Sequence, residues 1–198
     1  MATVTIITPT YRRDPSIVRR CIGSVILQTY QDWEQVVCSD GGREEQVAAI
    51  VEGQNDPRLK YRWLTEKKQG DYGNVARQKM LLESASKYIV FLDDDNIILP
   101  AFLIKMVSAL EMSGRAVATC RLLYVYNPKW GPKMPVILDG HIVANGQTDP
   151  AQMMIRRKEM TEIGWDTEGG YNADGMTIDR IAAKELHVQV NEILSVHL

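Results

Sequence analysis

The sequence contains few cysteines, and they are not spaced as in a metal or redox motif. Its 198 residues include three, Cys21, Cys38 and Cys120, with no C-x-x-C pair among them. Each thiol lies in an apolar run, and the odd count argues against a disulfide framework. We therefore expect three small buried thiols in a protein of a reducing compartment.

Long apolar runs and an excess of basic residues are absent as well. No stretch approaches the roughly 18–20 apolar residues that span a bilayer, and the N-terminus lacks the layout of a secretory signal. Lys and Arg number 23 against 25 Asp and Glu, a formal net charge of −2. A protein that binds nucleic acid through phosphates usually carries a basic excess, so that class is disfavoured. We expect a soluble, cytoplasmic protein without nucleic-acid partner or transmembrane segment; peripheral membrane contact stays open.

Several familiar catalytic and phosphate-binding motifs are also missing. The chain has no G-x-G-x-x-G after its first strand-like run, no G-x-x-x-x-G-K-(S/T), no G-x-S-x-G and no H-E-x-x-H. Its three histidines are dispersed along the sequence. These absences disfavour dinucleotide oxidoreductases, P-loop enzymes, serine hydrolases of the nucleophile-elbow type and zinc proteases.

What is present is an alternation of short β-branched runs with helical patterns. Strands are predicted over 4–8, 34–39, 59–64 and 88–92, and helices over 15–29, 44–53, 74–86 and after Pro100. This order predicts an α/β protein with a mostly parallel sheet flanked by helices. Further strands over 117–126, 153–156 and 188–196 and a helix over 174–184 predict a mixed C-terminal half. We expect one domain over 1–198, with a nucleotide-type front half over 1–115 and a mixed back half over 116–198.

Three consecutive carboxylates, Asp93, Asp94 and Asp95, directly follow the buried run at 88–92. Ligands of open α/β sheets bind beyond the carboxyl ends of the strands, where these acids fall. Because adjacent carboxylates repel one another, the pattern favours a cation site over a solvated turn, which is the alternative. Hard oxygen ligands suit Mg²⁺ or Mn²⁺. A metal-assisted reaction on a nucleotide diphosphate is therefore the leading interpretation.

Five segments in order resemble the inverting GT-A glycosyltransferases of family 2, a group that includes bacterial surface-polysaccharide transferases. They are Ile6–Tyr11 as the first strand and nucleotide loop, Ser24–Tyr30 as an S-x-x-x-Q-T-(Y/F) helix end, Asp32–Gly41 as the second strand and its acid, Gly73–Arg77 as a helix start and Phe91–Pro100 as a D-x-D segment. The resemblance implies a Rossmann-like GT-A fold. It also implies transfer of a sugar from a nucleotide diphosphate sugar, with a UDP-sugar expected, to a glycan or lipid-linked acceptor.

The resemblance assigns roles to residues of the donor side. They are Pro9, Tyr11 and Asp40 for the nucleobase, Arg77 for the base or diphosphate, Asp93 and Asp94 for the ribose and metal side, and Asp95 with the late His197 for Mn²⁺ or Mg²⁺. For each residue a structural reading competes, such as an Asx-turn for Asp40 beside two glycines or a frayed terminus for His197.

An inverting transfer needs a base on the acceptor side. The resemblance places this carboxylate at the start of a late helix, after Arg156-Arg157 and Trp165-Asp166, which selects Asp174. The alternative reading is a helix N-cap, with which a base role is compatible. Asp166 and Asp179 are the reserve candidates, Asp149 is a candidate sugar contact or turn residue, and Trp130 is a candidate stacking residue for an acceptor sugar.

Two other functions remain open. A nucleotidyltransferase on a related sheet would release pyrophosphate. The Gly-rich first loop with Lys or Arg that this class carries is missing from the sequence. A non-catalytic nucleotide-sugar-binding protein would keep the donor pocket without the base, and Ala173 stands beside Asp174 where the family more often has Glu before Asp.

Overall fold

The computed structural model describes residues 2–65, 69–125 and 135–198, which form nine strands and six α-helices. The strands are β1 (Val4–Thr10), β2 (Trp33–Ser39), β3 (Leu59–Trp63), β4 (Tyr88–Phe91), β5 (Asn96–Ile98), β6 (Val117–Tyr124), β7 (Val136–Leu138), β8 (Met153–Arg156) and β9 (His187–His197). The helices are α1 (Pro15–Ile26), α2 (Glu45–Glu52), α3 (Asn74–Glu83), α4 (Phe102–Ser113), α5 (Arg157–Ile163) and α6 (Ala173–Lys184).

All the described strands belong to one sheet in the order β3-β2-β1-β4-β8-β6-β9-β5, with β7 paired to β6. The strands β3, β2, β1 and β4 are parallel, as the alternating pattern of the first half predicts. Antiparallel β8 then joins β4 to β6, and β9 runs parallel to β6. The prediction of a parallel front half and a mixed back half is therefore confirmed.

Both faces of the sheet are buried because helices cover each of them. In β4, Tyr88 and Val90 pack into the core cluster under α1, α2 and α4, whereas Ile89 and Phe91 pack into a second cluster under α3, α5 and α6. Successive side chains of a strand point to opposite faces, so a continuous apolar run fits a strand that is covered twice. This arrangement leaves the carboxyl ends of the parallel strands as the open edge for a ligand.

The helix boundaries follow the local signals that the sequence carries. The side chain of Asp14 accepts a hydrogen bond from the Ser16 N–H at 2.8 Å, and Pro15 occupies the first turn of α1. An N-cap carboxylate satisfies a backbone donor that has no partner inside the helix. The predicted start of α1 is therefore confirmed.

The segment Ser24–Tyr30 has a structural role. The buried Gln28 side chain donates to the Leu99 carbonyl at 2.8 Å and accepts from the Leu103 N–H at 3.0 Å. The Ser24 hydroxyl accepts from the Ile98 N–H at 3.3 Å. These bonds fasten the end of α1 to the chain that follows the three carboxylates, and so they fix the carboxylate segment against the sheet.

The three cysteines are free and buried, as expected. Burial raises the pKa of the Cys38 and Cys120 thiols to about 12, which keeps both protonated at neutral pH. Among the helices of the described ranges, none combines the length and the apolar character that crossing a bilayer requires.

Three elements are absent from the sequence prediction, namely β5, β7 and α5. The strands β5 and β7 have only three residues each, and α5 is a seven-residue helix with one buried residue, Met160. Such short elements show no full period of apolar residues, so tertiary pairing rather than local pattern decides them. Trp130, the candidate stacking residue, lies outside the described residues.

Candidate functional site

A pocket of about 400 Å³ opens at the carboxyl edge of β1, β2 and β4. Every residue that the sequence selected as first choice for donor, metal or base lines it: Pro9, Tyr11, Asp40, Arg77, Asp93, Asp94, Asp95, Asp174 and His197. The remaining lining residues are Thr10, Arg13, Tyr72, Gly73, Asn74, Pro150, Gly170 and Tyr171. The pocket thus combines the end of the parallel sheet with residues from the mixed half of the chain.

The loop after β1 forms one wall. Asp40 is buried, and its N–H donates to the Thr10 carbonyl at 2.9 Å, which holds the β1 and β2 ends side by side. Arg12 adopts a left-handed φ of 47°, and its guanidinium lies 5.2 Å from the centre of the Tyr11 ring. The Arg12 N–H donates to the Glu44 carboxylate at 3.1 Å. The half-exposed Tyr11 ring and the Asp40 carboxylate therefore reach the same pocket.

The three carboxylates after β4 are paired with two arginines from different elements. Arg13 Nε lies 2.8 Å from Asp94 Oδ1, and Arg13 Nη2 lies 3.2 Å from Asp95 Oδ2. Asp93 pairs with the buried Arg77. Burial raises the pKa of Asp94 to about 6 although the positive charge of Arg13 opposes it. In the described structure, the positive charges of Arg13 and Arg77 thus lie against the three carboxylates.

Arg13 is a site residue that sequence reasoning missed. It belongs to the run Thr8–Arg13 that follows the first strand, but an exposed arginine there looks like an ordinary surface residue. The available signal was electrostatic, because three carboxylates at one strand end require nearby positive charge.

Arg77 and Asn74 connect the two halves of the site. Arg77 Nη1 donates to the Tyr72 carbonyl at 3.0 Å, and its guanidinium lies 5.0 Å from the centre of the Trp165 ring. The buried Asn74 side chain donates to the Gly170 carbonyl at 2.8 Å and accepts from Trp165 Nε1 at 2.9 Å. The start of α3 therefore fixes the position of the segment that leads into α6.

Asp174 lies in the first turn of α6, where the sequence placed it. Its carboxylate accepts from the Gly175 N–H at 2.8 Å. Burial raises the pKa of Asp174, and the negative charges of Asp149 and Asp93 raise it further. Asp174 is exposed, but the pocket walls desolvate its carboxyl in part, and a carboxyl with a raised pKa that lines a pocket has the character of a general base. Its position at a helix N-terminus is compatible with that role.

The reserve candidates Asp166 and Asp179 do not line the pocket. Asp166 Oδ1 accepts from the Glu168 and Gly169 N–H groups, and Asp179 accepts from the Asn145 N–H at 2.9 Å. Both carboxylates therefore stabilise loops. Asp149 accepts from the Ala151 N–H at 2.8 Å and caps the 3-10 turn before β8, which agrees with the reading of Asp149 as a turn residue.

His197 is ordered against the pocket rather than at a frayed end. It is the last residue of β9, its ring stacks on Tyr124 with centroids 4.3 Å apart, and its Nδ1 lies 3.4 Å from the Asp149 carboxylate. Burial lowers the pKa of His197, but Asp149 and the other nearby acids, Asp95 and Asp93, outweigh burial and raise it overall. The imidazole and the carboxylates thus converge on one region.

The donor chemistry of this region fits a hard divalent cation. Oxygen ligands from adjacent carboxylates and an imidazole are groups that Mn²⁺ and Mg²⁺ sites use. No preassembled cluster of three or more His, Cys, Asp or Glu side chains occurs in the described part of the chain. The cation that lies closest to Asp94 and Asp95 is the Arg13 guanidinium, at 2.8 and 3.2 Å.

Comparison with known proteins identifies the family. The model described as Glycosyl transferase family 2 matches residues 5–177, which covers most of the chain. The chain therefore belongs to glycosyl transferase family 2. The matched range includes Asp174 and ends before His197.

Several curated proteins are similar in sequence. The O-antigen biosynthesis protein RfbC of Myxococcus xanthus is 23% identical over 185 residues, or 87% of this chain and 14% of that protein. The UDP-Glc:alpha-D-GlcNAc-diphosphoundecaprenol beta-1,3-glucosyltransferase WfgD of Escherichia coli is 35% identical over 94 residues, or 48% of this chain and 35% of WfgD. The chain thus spans only a minor part of the length of these relatives.

Solved structures share the fold. The S. aureus TarS 1-349 structure has a TM-score of 0.79 and 15% identity over 99% of this chain and 60% of that chain. A mannosyltransferase of Pyrobaculum calidifontis in complex with GDP-Man and Mn²⁺ has a TM-score of 0.69 and 17% identity over 98% of this chain and 56% of that chain. The fold is therefore of the GT-A type, as the sequence resemblance implies.

Gly73 lies close to Pro9 of β1, and Gly70 offers a matched comparison. Gly73 has a φ of 79°, and a Cβ there would lie 2.8 Å from Pro9 Cβ, whereas Gly70, with a φ of 72°, faces open space. Both Gly→Ala changes carry a left-handed backbone cost of about 1–2 kcal/mol. Under the UDP-sugar transfer proposed below, we expect Gly73→Ala alone to weaken UDP binding, by at least about fivefold or ~1 kcal/mol, because it displaces Pro9. Calorimetric titration checks this, and equal losses in the two variants would contradict it.

Proposed function

We propose that this chain is a metal-dependent inverting glycosyltransferase. It moves a sugar from a nucleotide diphosphate sugar, expected to be a UDP-sugar, to an acceptor hydroxyl. The observation that carries the proposal is the composition of the pocket, in which Tyr11 and Asp40, the three carboxylates after β4 and Asp174 of α6 meet. The pocket therefore holds side chains that suit binding of the nucleotide, neutralisation of the leaving group and deprotonation of the acceptor hydroxyl.

The nucleobase fits the wall built by Pro9, Tyr11 and Asp40. The Tyr11 ring offers a face for stacking, and the buried Asp40 carboxylate offers an acceptor for a base N–H. Uridine is favoured because the name of WfgD begins with UDP-Glc and TarS has been solved with UDP and with UDP-GlcNAc. A donor with a guanine base is the competing case, since the Pyrobaculum enzyme was solved with GDP-Man.

The diphosphate and ribose fit the charged floor of the pocket. Asp93 and Asp94 would face the ribose and metal side, and Arg77, which pairs with Asp93, would reach the base or the diphosphate. Asp95 and His197 would hold Mn²⁺ or Mg²⁺, which when bound neutralises and orients the leaving diphosphate. Arg13 pairs with Asp94 and Asp95. When a metal ion takes its place beside these carboxylates, the Arg13 guanidinium would turn toward the phosphates.

Asp174 would take the proton from the attacking acceptor hydroxyl. A single displacement with inversion needs no covalent intermediate, so one positioned carboxylate suffices. Burial raises the pKa of Asp174, which brings its proton affinity closer to that of the group it must deprotonate. Residues 1–115 would thus serve the donor and residues 116–198 the acceptor.

A lipid-linked saccharide is the acceptor class that the relatives suggest. Both the E. coli protein and a Campylobacter jejuni protein that is 29% identical over 97 residues are named as beta-1,3-glucosyltransferases of undecaprenol-linked sugars. A transferase for such acceptors would work in the cytoplasm at the membrane surface. We propose this location together with the acceptor class, and a glycan that is not lipid-linked is the alternative.

The product distinguishes the proposed function from its competitors. The protein is incubated with UDP-glucose or UDP-N-acetylglucosamine, Mn²⁺ and undecaprenol-diphosphate-linked or free saccharides, and in a parallel reaction with UTP, glucose 1-phosphate and Mn²⁺. A glycosyltransferase releases UDP and extends the saccharide, a nucleotidyltransferase releases pyrophosphate, and a binding protein releases neither. UDP with an extended, inverted product supports the proposal, and pyrophosphate overturns it.

Asp94 makes donor binding depend on pH. With a pKa of about 6, this carboxyl is largely ionised at pH 7 and largely protonated at pH 5. We expect Mn²⁺-dependent binding of UDP-N-acetylglucosamine to weaken roughly tenfold over this interval, since metal and proton compete for carboxylates. This probe is preferred to UDP because a terminal phosphate would titrate in the same range. Asp94→Asn should reduce the pH dependence to the part that comes from His197, whose pKa is raised by Asp149 and which would share the metal. A flat wild-type profile would contradict the prediction.

A further inference from the structure

Two exposed tyrosine rings stand at the mouth of the pocket. Tyr72 is 61% and Tyr171 79% exposed, and their rings meet edge to face with centroids 5.7 Å apart and an interplanar angle of 77°. Tyr72 precedes α3, whereas Tyr171 lies in the 3-10 turn that leads into α6. The pair therefore joins the donor half of the site to the half that carries Asp174.

The backbone under these rings is held by hydrogen bonds. Tyr72 adopts a left-handed φ of 56°, which is unfavourable for a residue with a Cβ. Its carbonyl accepts from Arg77, and the carbonyl of Gly170 accepts from the Asn74 side chain at 2.8 Å. A strained conformation persists where its surroundings fix it, and such strain concentrates at functional sites. The two rings are thus presented on anchored backbone.

The exposed ring surface suits a sugar. A tyrosine combines an apolar face with a polar hydroxyl, so it suits ligands that are apolar on one side and hydrogen-bonding at the rim. A pyranose whose ring substituents are all equatorial presents such a face, lined by axial C–H groups. The arginines that suit a diphosphate, Arg13 and Arg77, lie elsewhere in the pocket, where they pair with the carboxylates after β4.

We propose that Tyr171 and Tyr72 form a stacking platform for the acceptor saccharide. The platform would select gluco-configured pyranosides and direct a hydroxyl toward Asp174, which follows Tyr171 by three residues at the start of α6. This inference rests on the proposed function. It adds an acceptor-binding element to a site whose other residues serve donor, metal and proton transfer.

Binding of a defined disaccharide tests the platform. N,N′-diacetylchitobiose is titrated into the protein saturated with UDP and Mn²⁺, and its binding is followed by saturation-transfer NMR. We expect Tyr171→Ala and Tyr72→Ala each to raise its Kd at least about fivefold, which is the loss expected for one stacked ring. Tyr171→Phe keeps the ring and should retain binding within about twofold. Leu27→Ala, which truncates an exposed apolar side chain at the end of α1, is the control and should change nothing.

UDP affinity is measured in parallel and should be unchanged in all four variants. Wild-type affinity for the disaccharide in Tyr171→Ala would overturn the platform. So would a loss of UDP affinity in that variant, because the rings would then serve the donor. A wild-type protein that binds UDP but not the disaccharide would overturn it as well. If the wild type does not bind UDP, the proposed function itself falls, and the platform falls with it.

Discussion

Asp174→Asn should lower the transfer rate by about 10²–10⁴-fold, the usual contribution of a general base, while UDP affinity stays within about twofold. The substitution keeps the shape of the side chain and its acceptor for the Gly175 N–H, but it removes the group that takes the proton. Rates under single-turnover conditions measure the first quantity, and calorimetric titration with UDP and Mn²⁺ measures the second.

Asp139→Asn is the matched control for this variant. Asp139 makes an exposed ion pair with Arg121 at 2.7 Å and does not line the pocket. The transfer rate of Asp139→Asn should therefore equal that of the wild type. Near-normal turnover in Asp174→Asn would show that another group is the base. An equal loss in Asp166→Asn and Asp174→Asn would point instead to a general dependence on the segment between Trp165 and α6.

Asp95→Asn should lower transfer by at least about 100-fold, because loss of a metal ligand removes the charge that neutralises the leaving group. UDP affinity measured in the absence of metal should change little, since Tyr11 and Asp40 remain in place. The added affinity that Mn²⁺ brings in the wild type should disappear. Titration of UDP with and without Mn²⁺ separates these effects, and Asp139→Asn again serves as the control. Full Mn²⁺ enhancement in Asp95→Asn would contradict the assignment of Asp95.

The sequence allowed the parallel half of the sheet to be predicted closely, because β1, β2 and β4 are almost entirely buried and carry runs of β-branched and apolar residues. The edge strand β3 is buried only in part. The strand β8 was also predicted with its observed bounds, Met153–Arg156. The strand β5 could not be predicted, since its three residues are defined by antiparallel pairing with β9, almost a hundred residues away. Only the folded chain brings the Asn96 and His197 positions into register.

The candidate site follows the same division. The acids after β2 and β4 were accessible to sequence reasoning because strand ends of a parallel sheet share an edge. The contacts of Asn74 and Tyr171 were not accessible, since they join distant elements, and Arg13 was indicated only by the charge of the acids with which it pairs. Asn74 is the clearest example. Its side chain contacts Gly170 and Trp165, and no local sequence pattern predicts either contact.

The central claim is that the pocket binds a nucleotide diphosphate together with a divalent cation. The most direct test of this claim is thermal unfolding of the wild type with UDP, with Mn²⁺ and with the two together. At a UDP concentration of about 100 times Kd, binding stabilises the folded state by about 2.7 kcal/mol, which corresponds to a rise in Tm of roughly 5–10 °C for a chain of this size. We predict this rise only when both are present, and a smaller one with UDP alone. An unchanged Tm with UDP and Mn²⁺ together would contradict the account.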